Sequence, residues 1–195
     1  FTPAFVGGLN LFFDKNPNVR DTVTLLGALL TFYFSANIFL GFDGQATQYR
    51  LATIMPGIDI SFHIEPLGII FSLLASGLWI LTHIYAIGYM RGAKEKNQSR
   101  FFFFFSVSIA SVMGISFSGN LFTLFLFYEL LTLITFPLVS HKGSSEALRG
   151  ARAYLSILLG TSIGFQLLGI IWIYFSIGTL DLSLIHISEP TRPVP

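Results

Sequence analysis

The 195-residue chain contains no cysteine, which excludes a disulfide scaffold, a thiolate zinc site, an iron–sulfur cluster held by its own side chains and a cysteine nucleophile. Charge is also scarce: Asp, Glu, Lys and Arg make up 11% of residues, against roughly 25% in an ordinary soluble domain. A net charge of +1 supplies no global basic field, so nucleic acid is not an expected partner. Phosphate loops, nucleophile elbows and zinc motifs are missing too, and no cofactor is expected from the pattern. What the chain does have is apolar surface. Hydrophobic residues reach 53%, Phe alone accounts for 22, and the mean hydropathy is +0.71. One interior of this size cannot hide that much from water, so lipid must cover part of the outside.

A hydrocarbon core about 30 Å thick takes roughly 20 apolar residues of helix to cross. Five runs fit that length: Val23–Phe42, Pro66–Met90, Phe101–Ser118, Leu121–Val139 and Tyr154–Ile177. Phe1–Phe13 is too short and reads as the tail of a helix whose start is missing; it lacks the basic flank and small-residue cleavage site of a secretory leader. The expected fold is therefore an all-α integral membrane bundle of five full spans and one truncated span. Asn16-Pro17-Asn18 and Gly143-Ser144-Ser145 are turn-like, and Ser118-Gly119-Asn120 is short enough to make the flanking runs antiparallel neighbours. One segment has a different period. Ile58–Glu65 (IDISFHIE) alternates apolar and polar residues after Pro56-Gly57 and the β-tolerant stretch Tyr49–Met55, which predicts a β-hairpin outside the membrane.

Basic residues set the expected orientation, because short cytoplasmic loops carry the excess of Lys and Arg. Lys15, Arg20, Arg91, Lys94, Lys96, Arg100, Lys142, Arg149 and Arg152 fall on one side and only Arg50 on the other. The first side is expected to be cytoplasmic, the hairpin outside, and Leu121–Val139 to run inward. The tail SLIHISEPTRP resembles the conceptual translation of a sequencing adapter. Residues 1–182 are thus expected to be the membrane domain and 183–195 non-native, with no role for His186, Glu189 or Arg192.

Glu129 is the one acid inside an apolar run, about 12 Å along its helix from Leu121 and close to the expected bilayer midplane. An ionisable group there costs on the order of 2.5–3.5 kcal/mol on insertion scales, so such residues usually face a protein interior or a water path. A desolvated carboxyl stays protonated and a paired one stays charged; switching between the two states takes up and hands on a proton. The plainer alternative is a protonated helix–helix contact with Thr132 or with Gln166. His83, inside the Pro66–Met90 run, either joins a relay or is a neutral imidazole bonded to a neighbouring backbone. Gly160 and Gly164, at four-residue spacing, are expected to permit close helix packing. Arg149 and Arg152 read as interface anchors with a second option of stabilising a proton site. Asp59, His63 and Glu65 share a strand face, where a solvated surface is the better reading than a metal site. Trp79, Tyr85, Tyr89, Trp172 and Tyr174 fit packing or interface belts.

The segments IEPLGIIF, IYAIGYMRG and GNLFTLFLFYELLTLITFPLVSHKGSSEALRGARAYL, with the glycine-bearing span that follows, resemble the antiporter-like proton channel family. That family includes the D subunit of Mrp-type cation/proton antiporters and the large membrane-arm subunits of respiratory complex I; the D-type branch looks nearest. The resemblance runs from Gly7 to about Leu180 and is most specific around Glu129, which matches the family's key carboxylate on helix five. Members have about fourteen helices with two inverted five-helix repeats, each bearing a relay Lys on a broken helix. The resemblance implies that the chain is an N-terminal fragment, and that Glu129 acts in the intact protein on the Lys of helix seven. Arg149 and Arg152 match a basic position of the family.

Three functions follow as expectations. The leading one is a proton-translocating subunit of a multisubunit monovalent cation (Na+)/H+ antiporter in the inner membrane of a prokaryote, partnered by other membrane subunits and performing no covalent chemistry itself. The second is a proton-pumping subunit of NADH:quinone oxidoreductase (complex I) or a membrane hydrogenase. The third is a membrane scaffold without transport.

Overall fold

The computed structural model describes residues 1–45, 47–55 and 58–182; the Pro56-Gly57 turn and the tail holding His186, Glu189 and Arg192 lie outside the described residues. Helices α1 (Thr2–Phe12) and α2 (Pro17–Leu40) precede an antiparallel pair of strands, β1 (Thr47–Met55) and β2 (Ile58–Ile64). Helices α3 (Pro66–Gly92), α4 (Gln98–Ser116), α5 (Leu121–Val139) and α6 (Ser145–Thr161) follow. A π-helical turn (Ser162–Leu167) then leads into α7 (Leu168–Ile177). Five helical segments are long and apolar enough to cross a membrane, with α6, the π turn and α7 forming one of them. The fold is a multi-span helical membrane bundle with a small sheet.

Three spans start earlier than hydropathy suggested, α4 at Gln98 rather than Phe101 and the other two by more. α2 begins at Pro17, whose fixed φ suits the first helical position, and the helix therefore takes in Arg20 and Asp21. α6 begins at Ser145 because the Ser144 hydroxyl accepts from the Ala147 N–H and Glu146 sits in the first turn, where the helix dipole favours an acid. The run Ser145–Ile177 is 33 residues long, about 50 Å at 1.5 Å per residue, so its charged first turns project beyond a hydrocarbon core of about 30 Å.

Burial is inverted relative to a water-soluble bundle. Ser72, Ser76, Ser106 and Ser111 are fully buried, while Leu78, Leu81, Ile84 and many Phe side chains face outward. Lipid tails are as apolar as Leu, so helices in a bilayer associate through close packing of small residues. Three of these buried hydroxyls are served within their own helices: Ser72 donates to the Ile69 carbonyl at 2.9 Å, Ser76 to the Ser72 carbonyl at 2.7 Å and Ser111 to the Val107 carbonyl at 3.1 Å, while the Ser106 hydroxyl has no partner. Close approach falls at Gly68, where a Cβ would collide with the Ser116 backbone carbonyl, and at Gly27, where it would meet Val6. At Gly160 and Gly164, by contrast, a Cβ would meet nothing, so the packing role expected for that pair is not used among the described residues.

The hairpin is clamped to the turn between α4 and α5. Asn120 is the hub: its Oδ1 accepts from the Thr123 N–H at 2.7 Å and caps α5, while its Nδ2 donates to the Asp59 carbonyl at 2.7 Å and to Ser61 Oγ at 2.8 Å. The Ser61 N–H in turn donates to Thr123 Oγ1 at 3.0 Å, and the Gly119 N–H to the Ser61 carbonyl at 2.9 Å. One amide thus sets where α5 starts and hence the depth of Glu129. Asn120→Ala is expected to destabilise the fold by about 1–2 kcal/mol through the lost cap alone. Asn120→Asp should keep the cap and lose only the hairpin anchors, so a thermal-unfolding series should rank wild type above Asp above Ala.

Candidate functional site

Glu129 lies near the middle of α5, eight residues past Leu121 and ten before Val139. The helix is anchored by Asn120 at one end and carries Pro137 near the other. It packs against α4, β2, α6 and the π turn, and Phe127 presses its ring onto Gly114 of α4. Glu129 is half-buried, and its Oε1 is enclosed with no hydrogen-bond partner. An enclosed polar atom without a partner costs about 1–3 kcal/mol.

The side chains expected near it are disposed in three ways. Thr132 is buried, but its hydroxyl donates to the Tyr128 carbonyl at 3.0 Å and not to Glu129. Gln166 sits in the π turn, a wide turn of a kind often found at functional sites, on an element that packs against α5. Arg149 and Arg152 are exposed on α6, and the Arg149 guanidinium lies 3.4 Å from the Ser145 carbonyl. Among the described residues, no ion pair joins Glu129 to a cation.

His83 belongs to a different cluster. It is 0% exposed, its Nε2 lies 3.2 Å from the Asp21 carbonyl oxygen, and its ring meets Phe102 edge-on at 5.1 Å. The carbonyl can only accept, so Nε2 carries the proton, and Nδ1 is left enclosed without a partner. Hydropathy placed Arg20 and Arg91 in loops and passed over Asp21. In the fold Arg20 and Asp21 are 2% and 4% exposed. The Arg20 guanidinium donates to Asp21 Oδ1 at 2.9 Å, to Ser99 Oγ at 3.2 Å and to Gln98 Oε1 at 3.0 Å, and stacks 4.9 Å over Phe102. The Arg91 guanidinium donates to Asp21 Oδ2 at 2.9 Å. The Asp21 carboxylate thereby joins α2 to α3, and the Arg20 guanidinium extends the link to α4. The signal for it was Asn16-Pro17, a helix start that places Asp21 inside the helix rather than before it.

On the hairpin, Asp59 pairs with Arg50 at 2.9 Å and His63 Nδ1 with Glu65 at 3.0 Å. These pairs use the groups that a metal would need, and no cluster of three potential ligands occurs among the described residues.

Removing one partner of a buried charge cluster leaves the others uncompensated, at a cost of about 3–5 kcal/mol. Asp21→Ala is therefore expected to lower thermal stability far more than Arg50→Ala, whose ion pair with Asp59 is exposed on the Arg side. Comparing the melting temperatures of the two variants checks this.

Known proteins share both sequence and fold with this chain. Residues 55–102 match the family described as NADH-ubiquinone oxidoreductase (complex I), chain 5 N-terminus, and residues 118–190 match that described as NADH:quinone oxidoreductase/Mrp antiporter, TM. The Na(+)/H(+) antiporter subunit A1 of Staphylococcus haemolyticus is 31% identical over 160 residues, covering 80% of this chain and 19% of the relative. The NADH-quinone oxidoreductase subunit L of Neisseria meningitidis is 31% identical over 165 residues, covering 79% of this chain and 24% of the relative. The chain thus spans less than a quarter of either relative. A chain in the structure of the Mrp complex from Dietzia sp. DQ12-45-1b superposes with a TM-score of 0.74 at 22% identity, covering 94% of this chain and 34% of that one.

Proposed function

Because the chain belongs to the antiporter-like family that Mrp-type antiporter subunits share with the large membrane subunits of complex I, we propose that it is part of a proton-translocating subunit of a multisubunit monovalent cation (Na+)/H+ antiporter. In this reading Glu129 is a carboxylate of the proton relay. The observation that carries it is the enclosed, unpartnered Oε1 midway along α5.

The chemistry needs no covalent step. A carboxyl among helices in a low-dielectric setting holds its proton, and a Lys or Arg moved close to it favours the carboxylate. Alternating between these environments loads and unloads one proton. The rest of the intact protein supplies that cation in this proposal, since Arg149 and Arg152 are exposed and neither forms an ion pair with Glu129. Other membrane subunits are the partners, protons and Na+ the transported ions, and lipid the surroundings of the outward-facing Leu and Phe. The basic loops around Lys15, Lys94–Arg100 and Lys142–Arg152 face the cytoplasm of a prokaryotic cell, in keeping with the charge rule for short loops.

A second reading, a proton-pumping subunit of NADH:quinone oxidoreductase, rests on the Neisseria relative, whose identity equals that of the antiporter subunit. Genes for redox subunits beside this one would select it; small antiporter subunits would select the first.

Replacing Glu129 in the full-length assembled complex tests the relay. In vesicles, Glu129→Gln and Glu129→Ala are expected to slow proton-coupled Na+ movement by on the order of tenfold or more, with assembly unchanged and Glu129→Asp intermediate. Unchanged transport in the Gln variant would leave the subunit as a scaffold.

A further inference from the structure

At the end of the bundle away from the hairpin, the α3–α4 and α5–α6 connections line a cavity of roughly 540 Å³. Its wall carries Lys94, Lys96, Arg100 and Lys142 with one acid, Glu95, and the imidazole of His141. Among the described residues none of the four cations forms an ion pair. Four like charges around one cleft repel one another, and an anion between them relieves that repulsion.

Two further features point the same way. α4 starts at this cleft, with Asn97 in the left-handed region (φ 54°) and no side chain capping its first turn. The free N–H groups and the positive end of the helix dipole of this 19-residue helix therefore open beside Asn97 and Arg100, which line the cavity. His141 is held edge-on against Phe101 at 5.3 Å, and both its ring nitrogens are enclosed without a hydrogen-bond partner. Burial, followed by the charge of Arg100, pushes its pKa below the usual 6.5 against the opposing pull of Glu95 and the Lys96 backbone, so the ring is neutral and one of its nitrogens carries a hydrogen.

We propose that this cleft binds a phosphate-bearing anion, either the phosphodiester of an anionic phospholipid or free inorganic phosphate. Point charges from Lys and Arg, uncapped helix amides and a neutral imidazole donor together match three or four phosphate oxygens. The proposal is independent of Glu129, which lies in the middle of the α5 span rather than at its end.

The test uses the full-length subunit in its assembled complex. Wild type is compared with Lys94→Gln/Lys96→Gln/Lys142→Gln, and with Lys142→Gln alone as a second, milder variant. All three positions are exposed, so the substitutions leave the core intact. In one arm, complexes from nanodiscs of phosphatidylcholine and phosphatidylglycerol are examined by native mass spectrometry. In the other, inorganic phosphate is titrated in neutral detergent and the melting temperature followed. Wild type is expected to retain at least one more phosphatidylglycerol than the triple variant with equal phosphatidylcholine, and the Lys→Arg triple variant to recover it; this outcome assigns a lipid headgroup. A phosphate-dependent rise in melting temperature, seen in wild type and lost in the triple variant without any lipid difference, assigns free phosphate. Equal lipid retention and equal phosphate response in wild type and both Gln variants would overturn the proposal.

Discussion

Inside hydrocarbon a polar group has only the protein to turn to, and this constraint orders the structure. Backbone amides are satisfied within helices, hydroxyls bond back along their own turn or to a neighbouring segment, and charges are favoured when paired or neutral. Ser76 and Ser111 meet the rule through their own helix carbonyls, and Asp21 meets it with two arginines. Glu129 does not. Its Oε1 is enclosed with no partner among the described residues. The Ser106 hydroxyl and one ring nitrogen of His83 share that state, and Glu129 is the acid among them.

The same constraint explains why the two carboxylates differ. Asp21 sits one turn into α2, near the basic loops, where Arg20 and Arg91 reach it without crossing the apolar core. Together with Arg20 it therefore acts as a staple that fixes α2, α3 and α4 relative to one another. Glu129 lies midway along α5 with no cation paired to it among the described residues, and the exposed Arg149 and Arg152 lie in the first turns of α6.

How much of this the amino-acid pattern reveals depends on whether the physics is local. The bounds of α5 coincide with its apolar run because Asn120 caps it and Ser118-Gly119-Asn120 can do nothing but turn. Strict alternation announces the hairpin just as locally. Hydropathy hides Asp21, because a charge neutralised by arginines from two places in the chain scores like an exposed one. It hides the π turn around Gln166 as well, since one widened turn leaves the apolar period of the span intact. Glycine spacing misleads in both directions: Gly160 and Gly164 have space around them, whereas the contacts of Gly68 with Ser116 and of Gly27 with Val6 depend on which helix arrives there. Spacing shows that a close approach is permitted, and only the tertiary fold decides where it is used.

The chain shares its family with antiporter and complex I subunits, and the relay proposed for Glu129 rests on that setting. What the account requires is that the carboxyl of Glu129 has polar company when the whole assembly surrounds it. The most direct measurement is a side-chain-resolution structure of the intact complex in a lipid bilayer. The account predicts the Glu129 carboxyl within about 4 Å of a Lys or Arg nitrogen, or of ordered water leading to one. A carboxyl lying against acyl chains, with neither cation nor water beside it, would contradict it.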